Sequence, residues 1–261
     1  MPCVDSRGVR IHYVVEGHGP PLVLHHGLTG SIRSWEMYVG ELSGEYMLIL
    51  VDARGHGDSG KPHDREAYGP ELMTADIVAV LDDLGVERAG YWGFSMGGLI
   101  GFQLLRFCPS RFYSYIIGGM SPYRQVSDME KESEAWRTTR LRAGAEEGPE
   151  AFISLQEKHL GRRVTDGERR EMLEYDYEAL YAAWLSMLEW PATGDLLSSI
   201  TVPCFLYAGD KDAYHDGARE AVRHLWQGSF LSLPGLVHAE AFSRSDLVLP
   251  HVKRFLKSVT A

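Results

Sequence analysis

Cysteine is scarce in this 261-residue chain: Cys3, Cys108 and Cys204 are scattered without the short spacing of a metal-ligand set. That pattern offers neither a disulfide framework nor a zinc site, so Cys108 and Cys204 are expected as small buried apolar residues. Basic residues are also few, with 26 Lys and Arg against 36 Asp and Glu and a formal charge of −10. Nonspecific nucleic-acid binding depends on cations that neutralise phosphates, and this balance argues against it. Apolar runs stay well short of the roughly eighteen residues that a membrane-spanning helix needs. The first residues lack the basic-then-apolar layout of a secretory leader, so the expected setting is cytoplasmic, with no membrane partner. The rest is an ordinary globular composition, 44% hydrophobic, which over this length can bury a substantial interior.

Within that background one octet stands out, Tyr91-Trp92-Gly93-Phe94-Ser95-Met96-Gly97-Gly98. It reads as the end of a buried strand, a sharp turn and the start of a helix. Serine between glycines at two-residue spacing suits a turn so tight that flanking side chains would collide. The turn lifts the Ser95 hydroxyl clear of the backbone. It also places that hydroxyl at a helix N-terminus, where unpaired N–H groups favour a developing negative oxygen. With 28 glycines in the chain, such a match also arises by chance. Context raises its weight. A β-compatible run, Arg88 to Trp92, precedes it, and Met96, Leu99, Ile100 and Leu104 follow at helical spacing, with Gly98 and Gly101 allowing close helix–sheet contact.

Taken in order, Val9, Ile11, Tyr13 and Val15 alternate with Arg10, His12 and Glu16, which predicts an antiparallel strand with His12 on the polar side. Pro21 to Leu24 predicts a strand buried on both faces, ending in the Gly-punctuated loop His25-His26-Gly27-Leu28-Thr29-Gly30. Ser31 or Ser34 is placed to cap a short helix carrying Trp35 and Tyr38. Met47 to Val51 is a core strand, followed by a loop from Asp52 to Gly60 whose polar residues are expected to satisfy their own backbone rather than hold a metal. An amphipathic helix over Glu71–Leu84 has Met73, Ile77, Val80, Leu81 and Leu84 as its apolar stripe, with Asp76 off it. Tyr113 to Ile117 is a further strand. Strand and helix thus alternate, as in a mostly parallel α/β sheet flanked by helices.

That regularity stops near Ser121. Residues 121–194 are rich in Glu, Arg and aromatics and predict helices at Ser127–Ala143, Pro149–Leu160, Asp166–Leu173 and Tyr177–Leu188. They read as a helical lid inserted into an α/β core formed by residues 1–120 and 195–261. The sheet resumes at Val202–Ala208 and runs into Gly209-Asp210-Lys211-Asp212, and a last strand, Ser229–Leu233, leads to Gly235-Leu236-Val237-His238. A closing helix carries Leu249, Val252, Phe255, Leu256 and Val259, and its Pro250 is tolerable only near the first turn.

A serine hydroxyl needs a base to take its proton and an acid to orient that base. His238 follows the final strand in a Gly-rich turn, downstream of a carboxylate that follows the preceding strand. The chain order Ser95, Asp212, His238 is the one expected of nucleophile-elbow enzymes. Two backbone donors must face the developing oxyanion: Met96, just after the nucleophile, supplies one, and Leu28, in the loop after an earlier strand, is the candidate for the other.

In these features the chain resembles the α/β-hydrolase-fold enzymes of the esterase, enol-lactonase and C–C-bond hydrolase group. The resemblance is carried, over nearly the whole chain, by His26-Gly27, Asp52-x-Arg54-Gly55-His56-Gly57-x-Ser59, Gly93-Phe94-Ser95-Met96-Gly97-Gly98, Gly209-x-x-Asp212 and Gly235-x-x-His238. It implies Ser95 as nucleophile, His238 as base, Asp212 rather than Asp210 as the orienting acid, an oxyanion hole at the Leu28 and Met96 amides, and no cofactor or metal. The implied activity is hydrolysis of a small-molecule ester, thioester or lactone. C–C bond cleavage, a lyase reaction or a low-turnover ligand receptor are the alternatives on the same skeleton. His26, Tyr123, Arg137, Arg140, Trp184 and Met187 are the residues expected to line the pocket, the last five from the variable lid.

Overall fold

The computed structural model describes residues 2–124 and 127–260; Met1, Gln125, Val126 and Ala261 lie outside the described residues. The strands are β1 (Cys3–Ser6), β2 (Val9–Glu16), β3 (Pro21–His25), β4 (Met47–Val51), β5 (Ala89–Phe94), β6 (Phe112–Gly118), β7 (Cys204–Gly209) and β8 (Gly228–Leu233). The helices are α1 (Glu36–Leu42), α2 (Pro70–Asp83), α3 (Met96–Phe107), α4 (Asp128–Glu147), α5 (Pro149–Leu160), α6 (Asp166–Leu173), α7 (Tyr177–Met187), α8 (His215–Ala221), α9 (His238–Ser243) and α10 (Ser245–Thr260). None of the helices among the described residues is long and apolar enough to cross a membrane.

The strands form one eight-stranded sheet in the order β1-β2-β4-β3-β5-β6-β7-β8. β1 and β2 are antiparallel to each other, β2 is antiparallel to β4, and every later pairing is parallel. This is an α/β fold, and its order decides where chemistry can sit. β3 lies between β4 and β5, so the chain leaves β3 on one side and returns on the other. The loops leaving the carboxyl ends of β3 and β5 therefore part company and leave a crevice between them, the usual ligand position in open α/β sheets.

Alternation along the buried strands sends neighbouring residues to opposite layers. Leu22, Leu24, Trp92 and Phe94 join one core with Trp35 and Tyr38 near α1 and with Val248, Leu249, Val252 and Leu256 of α10. Val23, Tyr91 and Ile117 join the other, with Met73, Ile77, Val80 and Leu81 of α2 and much of α3. Each such side chain contributes roughly 1.5–3 kcal/mol relative to exposure, which is why the apolar periods place these elements so well. On α3, a Cβ at Gly101 would come 2.7 Å from the Tyr91 ring, so the helix lies as close to the sheet as its glycines suggest. The second core also takes in Leu141, Phe152, Leu180, Trp184 and Met187 from α4, α5 and α7, which pack over the same layer.

Several local expectations are corrected. β1 carries no strong strand signal of its own; it is folded back on β2 by a two-residue turn with positive φ at both Arg7 (53°) and Gly8 (84°), a hairpin geometry. His12 is buried, because its ring reaches Asp52 beneath the loop after β4. Asp76 is buried as well, accepting two bonds from Arg54, Nε at 2.7 Å and Nη2 at 2.5 Å. A fork-like pair of this kind compensates for two charges out of water that a periodicity reading assigns to solvent. Cys204 is buried as expected, but Cys108 is only partly so. Pro250 is the sixth residue of α10, in its second turn, because the helix begins at Ser245, ahead of the apolar stripe. The short helices α8 and α9 carry no helical signal in the sequence. Each starts within the loop that follows a strand, and neither is long enough to show a period.

Candidate active site

The turn at Ser95 is held by backbone contacts that leave no room for alternatives. A Cβ on Gly93 would lie 2.2 Å from the Gly97 carbonyl oxygen, and a Cβ on Gly97 would lie 2.2 Å from the His25 carbonyl oxygen. Ser95 itself has φ 54°, a conformation that a non-glycine residue adopts only when its surroundings enforce it. They do so through two strands: the Ser95 N–H donates to the Gly118 carbonyl at 2.8 Å, and the Gly97 N–H to the His26 carbonyl at 3.1 Å. The second bond also ties the loop after β3 to the loop after β5. A further chain runs from His25 Nδ1–H to the Tyr91 hydroxyl (2.9 Å) and from that hydroxyl to the Gly97 carbonyl (2.7 Å).

Those ties set Gly27-Leu28 beside Ser95: a Cβ on Gly27 would come 3.3 Å from the Ser95 Cβ. Among the described residues, no acceptor takes the backbone N–H of Leu28 or Met96. His26 is not where the sequence reading puts it. Its Nε2 accepts the Ala53 N–H at 3.1 Å, so the proton is on Nδ1, which donates to the Gly27 carbonyl at 2.8 Å. With both nitrogens used and the ring fully buried, His26 lines none of the cavities around Ser95; it fixes the shape of the loop that carries Leu28.

The carboxyl ends of β7 and β8 deliver the other two groups. Asp212 is buried, and its Oδ2 accepts from His238 Nδ1 at 2.8 Å while its Oδ1 accepts the Tyr214 N–H at 3.1 Å. Burial alone would raise the Asp212 carboxyl. The His238 charge and hydrogen bond, the Tyr214 N–H and the Arg137 cation outweigh burial, and its pKa is lowered. The carboxylate therefore stays ionised, which fixes the proton of neutral His238 on Nδ1 and leaves Nε2 free to accept. Nε2 lies 2.9 Å from Ser95 Oγ. Asp210, two residues earlier, serves another purpose: its Oδ1 accepts the Gly235 N–H at 2.8 Å and pins the turn before His238.

Ser95 and His238 open on a cavity of about 370 Å³ lined also by Leu28, Phe94, Arg137, Arg140, Tyr175 and Phe242. A much smaller recess of about 20 Å³ on the other side of Ser95 is lined by Met96, Tyr123, Arg137, Trp184 and Met187. All five of the expected lid residues thus border a space that opens on Ser95: Arg137 and Arg140 line the main cavity, while Tyr123, Trp184 and Met187 line only the recess. Sequence reasoning missed Phe94, Phe242, Tyr175, Gln156 and Glu171. Phe94 lies against His238, their ring centroids 5.0 Å apart, and Phe242 packs on Phe94 at 4.8 Å. Phe242 is one turn beyond His238 on α9, a position legible only once that helix is known.

A separate cavity of about 430 Å³, which includes none of Ser95, Asp212 or His238, is lined by His12, Asp52, His56 and Asp58. Asp52 accepts from the Ile32 and Asp58 N–H groups and from His12, so the loop does satisfy its own backbone. His56 Nδ1–H donates to the Arg54 carbonyl at 3.0 Å, and burial, then the neighbouring His26, lower its pKa to about 3. Burial shifts His25 and His26 in the same direction. Below about pH 6.5 the unfolded chain takes up protons that these folded imidazoles refuse, so unfolding free energy falls with pH in that window and is unaffected above it. The expected loss is at most about 1.4 kcal/mol per pH unit for each histidine. Urea titrations at pH 7 and pH 5.5 should show a lower midpoint at pH 5.5, with His56→Gln reducing the difference. Equal differences in the two proteins would contradict this account.

Comparison with known proteins identifies the fold. A family model described as alpha/beta hydrolase fold matches residues 20–162. Bifunctional epoxide hydrolase 2 of Mus musculus is 34% identical over 105 residues, 40% of this chain and 19% of that protein. The chain thus spans about a fifth of the length of that relative. It is 26% identical over 221 residues to 3-oxoadipate enol-lactonase 2 of Acinetobacter baylyi, covering 80% of this chain and 78% of that one. A thermophilic esterase from Thermogutta terrifontis has the same fold, with TM-score 0.81 and 23% identity, over 100% of this chain and 99% of that one. Sheet order, elbow and family match all agree: the chain belongs to the alpha/beta hydrolase fold family.

Proposed function

We propose that the chain is a serine hydrolase that cleaves a carboxylic ester, thioester or lactone through an acyl-Ser95 intermediate. The observation that carries this reading is the unbroken line of hydrogen bonds from Asp212 through His238 to Ser95, 2.8 and 2.9 Å, at the wall of a cavity large enough for a small molecule. In the proposed sequence, Ser95 Oγ attacks the carbonyl carbon as His238 Nε2 takes its proton. The carbonyl oxygen becomes an oxyanion facing the uncommitted Leu28 and Met96 N–H groups. Collapse expels the alcohol, thiol or ring oxygen, which takes the proton from Nε2. Water, deprotonated by the same nitrogen, then releases the acid and restores Ser95. Asp212 stays ionised throughout and stabilises the imidazolium. The helices α4–α7 act as the lid that excludes bulk water from this cavity.

The identity of the nucleophile separates acyl transfer from epoxide opening, the activity named for the mouse relative. Attack of a serine oxygen on an epoxide carbon would leave an ether, which water and an imidazole do not cleave. Attack on an acyl carbon leaves an ester, which they do. The test is multiple turnover on a panel of esters, thioesters, lactones and vinylogous ring-cleavage diketones. Turnover of at least one acyl substrate well beyond one equivalent is expected. Saturable binding of acyl compounds without turnover would make the chain a receptor, and turnover of the diketones alone would make it a C–C hydrolase.

A further inference from the structure

Arg137 and Arg140 lie one turn apart on α4 and both line the cavity that holds Ser95 and His238. A guanidinium keeps its charge at any working pH, and burying it without a counter-charge is costly. The two are held differently. Arg137 Nη1 donates to the Tyr214 hydroxyl at 3.3 Å, and its guanidinium also borders the recess lined by Glu130 and Glu134. Arg140 has neutral company. It donates to Gln156 Oε1 and sits 5.3 Å from the Phe152 ring and 5.9 Å from the Trp136 ring. Its Nε is buried without a partner, and among the described residues no carboxylate is paired with it. Burial, and then the repulsion of Arg137, disfavour its charged form. The aromatic rings and Gln156 hold this cation in place but do not neutralise it.

On the reading of this cavity as the substrate pocket, we propose that Arg140 receives a carboxylate carried by the substrate, so that the preferred substrates are esters or lactones bearing a second, ionised acid group. A planar guanidinium whose Nε and Nη2 have no hydrogen-bond partner among the described residues can take a carboxylate in fork geometry. Glu171 lines the same cavity from an exposed position and is hydrogen-bonded to Tyr175. Its position limits the charge that fits: a doubly charged phosphate would bring its second charge toward an acidic side chain, whereas a single carboxylate need not.

The test compares p-nitrophenyl half-esters of succinate, glutarate and adipate with neutral p-nitrophenyl esters of matched length. For the best-fitting half-ester, kcat/KM is expected to exceed that of its neutral partner. Arg140→Gln should lower that ratio roughly tenfold or more, mainly through KM, as loss of a charge-assisted bond requires. Arg140→Lys, which keeps the charge but not the fork, should fall between the parent and Arg140→Gln, and Glu171→Gln should move the ratio the other way, so a general folding defect cannot imitate the pattern. A ratio below one for every length, or one that Arg140→Gln leaves unchanged, would overturn the proposal. A second arm does not need turnover. Glutarate should raise the melting temperature of the Ser95→Ala protein and not that of Ser95→Ala with Arg140→Gln. If no ester is hydrolysed but this difference is seen, the esterase reading fails and the carboxylate site stands; equal shifts, or none, remove the site.

Discussion

Replacing Ser95 by alanine should reduce kcat on any ester or lactone that the chain hydrolyses by about 10⁴-fold or more, to the level left by binding and oxyanion stabilisation alone. The size of the effect follows from what the residue does. Its hydroxyl would form and break the covalent bond, and among the described residues no second nucleophile is hydrogen-bonded to His238 Nε2, which is bonded to Ser95 Oγ. The fold should survive the change. The strained backbone at this position is fixed by Gly93, Gly97, the Gly118 carbonyl and the His26 carbonyl, none of which depends on the hydroxyl. The variant should therefore melt at or slightly above the temperature of the parent, since a polar group held for chemistry often costs stability. Retained kcat in a folded Ser95→Ala protein would exclude Ser95 as nucleophile.

The second large effect is expected at Asp212. Asp212→Asn removes the charge that holds the His238 proton on Nδ1, and the amide can donate to that nitrogen and so turn the proton toward Ser95. The expected fall in kcat is about 10⁴-fold, with little change in KM, because the substrate does not touch this group. Asp210→Asn is the informative control. The Asn oxygen can still accept the Gly235 N–H that Asp210 now accepts, so a loss of only a few-fold is expected. Parallel kinetics on the two variants decide the matter, and a greater loss at Asp210 would reverse the roles of the two carboxylates.

Most of the frame was legible because it is written in periods. Buried strands such as β3 and β4 are short apolar runs, α2 and α3 carry stripes at helical spacing, and Gly93-x-Ser95-x-Gly97 has its spacing forced by backbone contact. The convergence of Ser95, Asp212 and His238 could be read from chain order, because loops at the carboxyl ends of parallel strands share one edge. What escaped depends on partners distant in sequence. Asp76 is an acid off the apolar stripe until Arg54 arrives to bury it. His26 has the neighbours of a pocket residue, but the Ala53 N–H, brought in by β4, takes the nitrogen that would have faced a ligand. Phe242 gains its place against Phe94 and in the cavity wall only through α9, too short to announce itself by periodicity. In residues 121–194 the sequence marks helices and aromatics alike, and only packing separates Trp184, whose Nε1 donates to Thr138 at 2.8 Å, from Arg140, which lines the cavity without a paired acid.

The central claim is that the acyl group passes through Ser95. It is tested most directly by mixing the protein with a p-nitrophenyl ester that it hydrolyses, quenching in acid within the first turnover, and measuring the intact and peptide masses. The account predicts one added acyl group, located on the peptide containing Ser95 and missing from the Ser95→Ala protein. Product formed at full rate with Ser95 unmodified, or an acyl group carried on another residue during turnover, would contradict it.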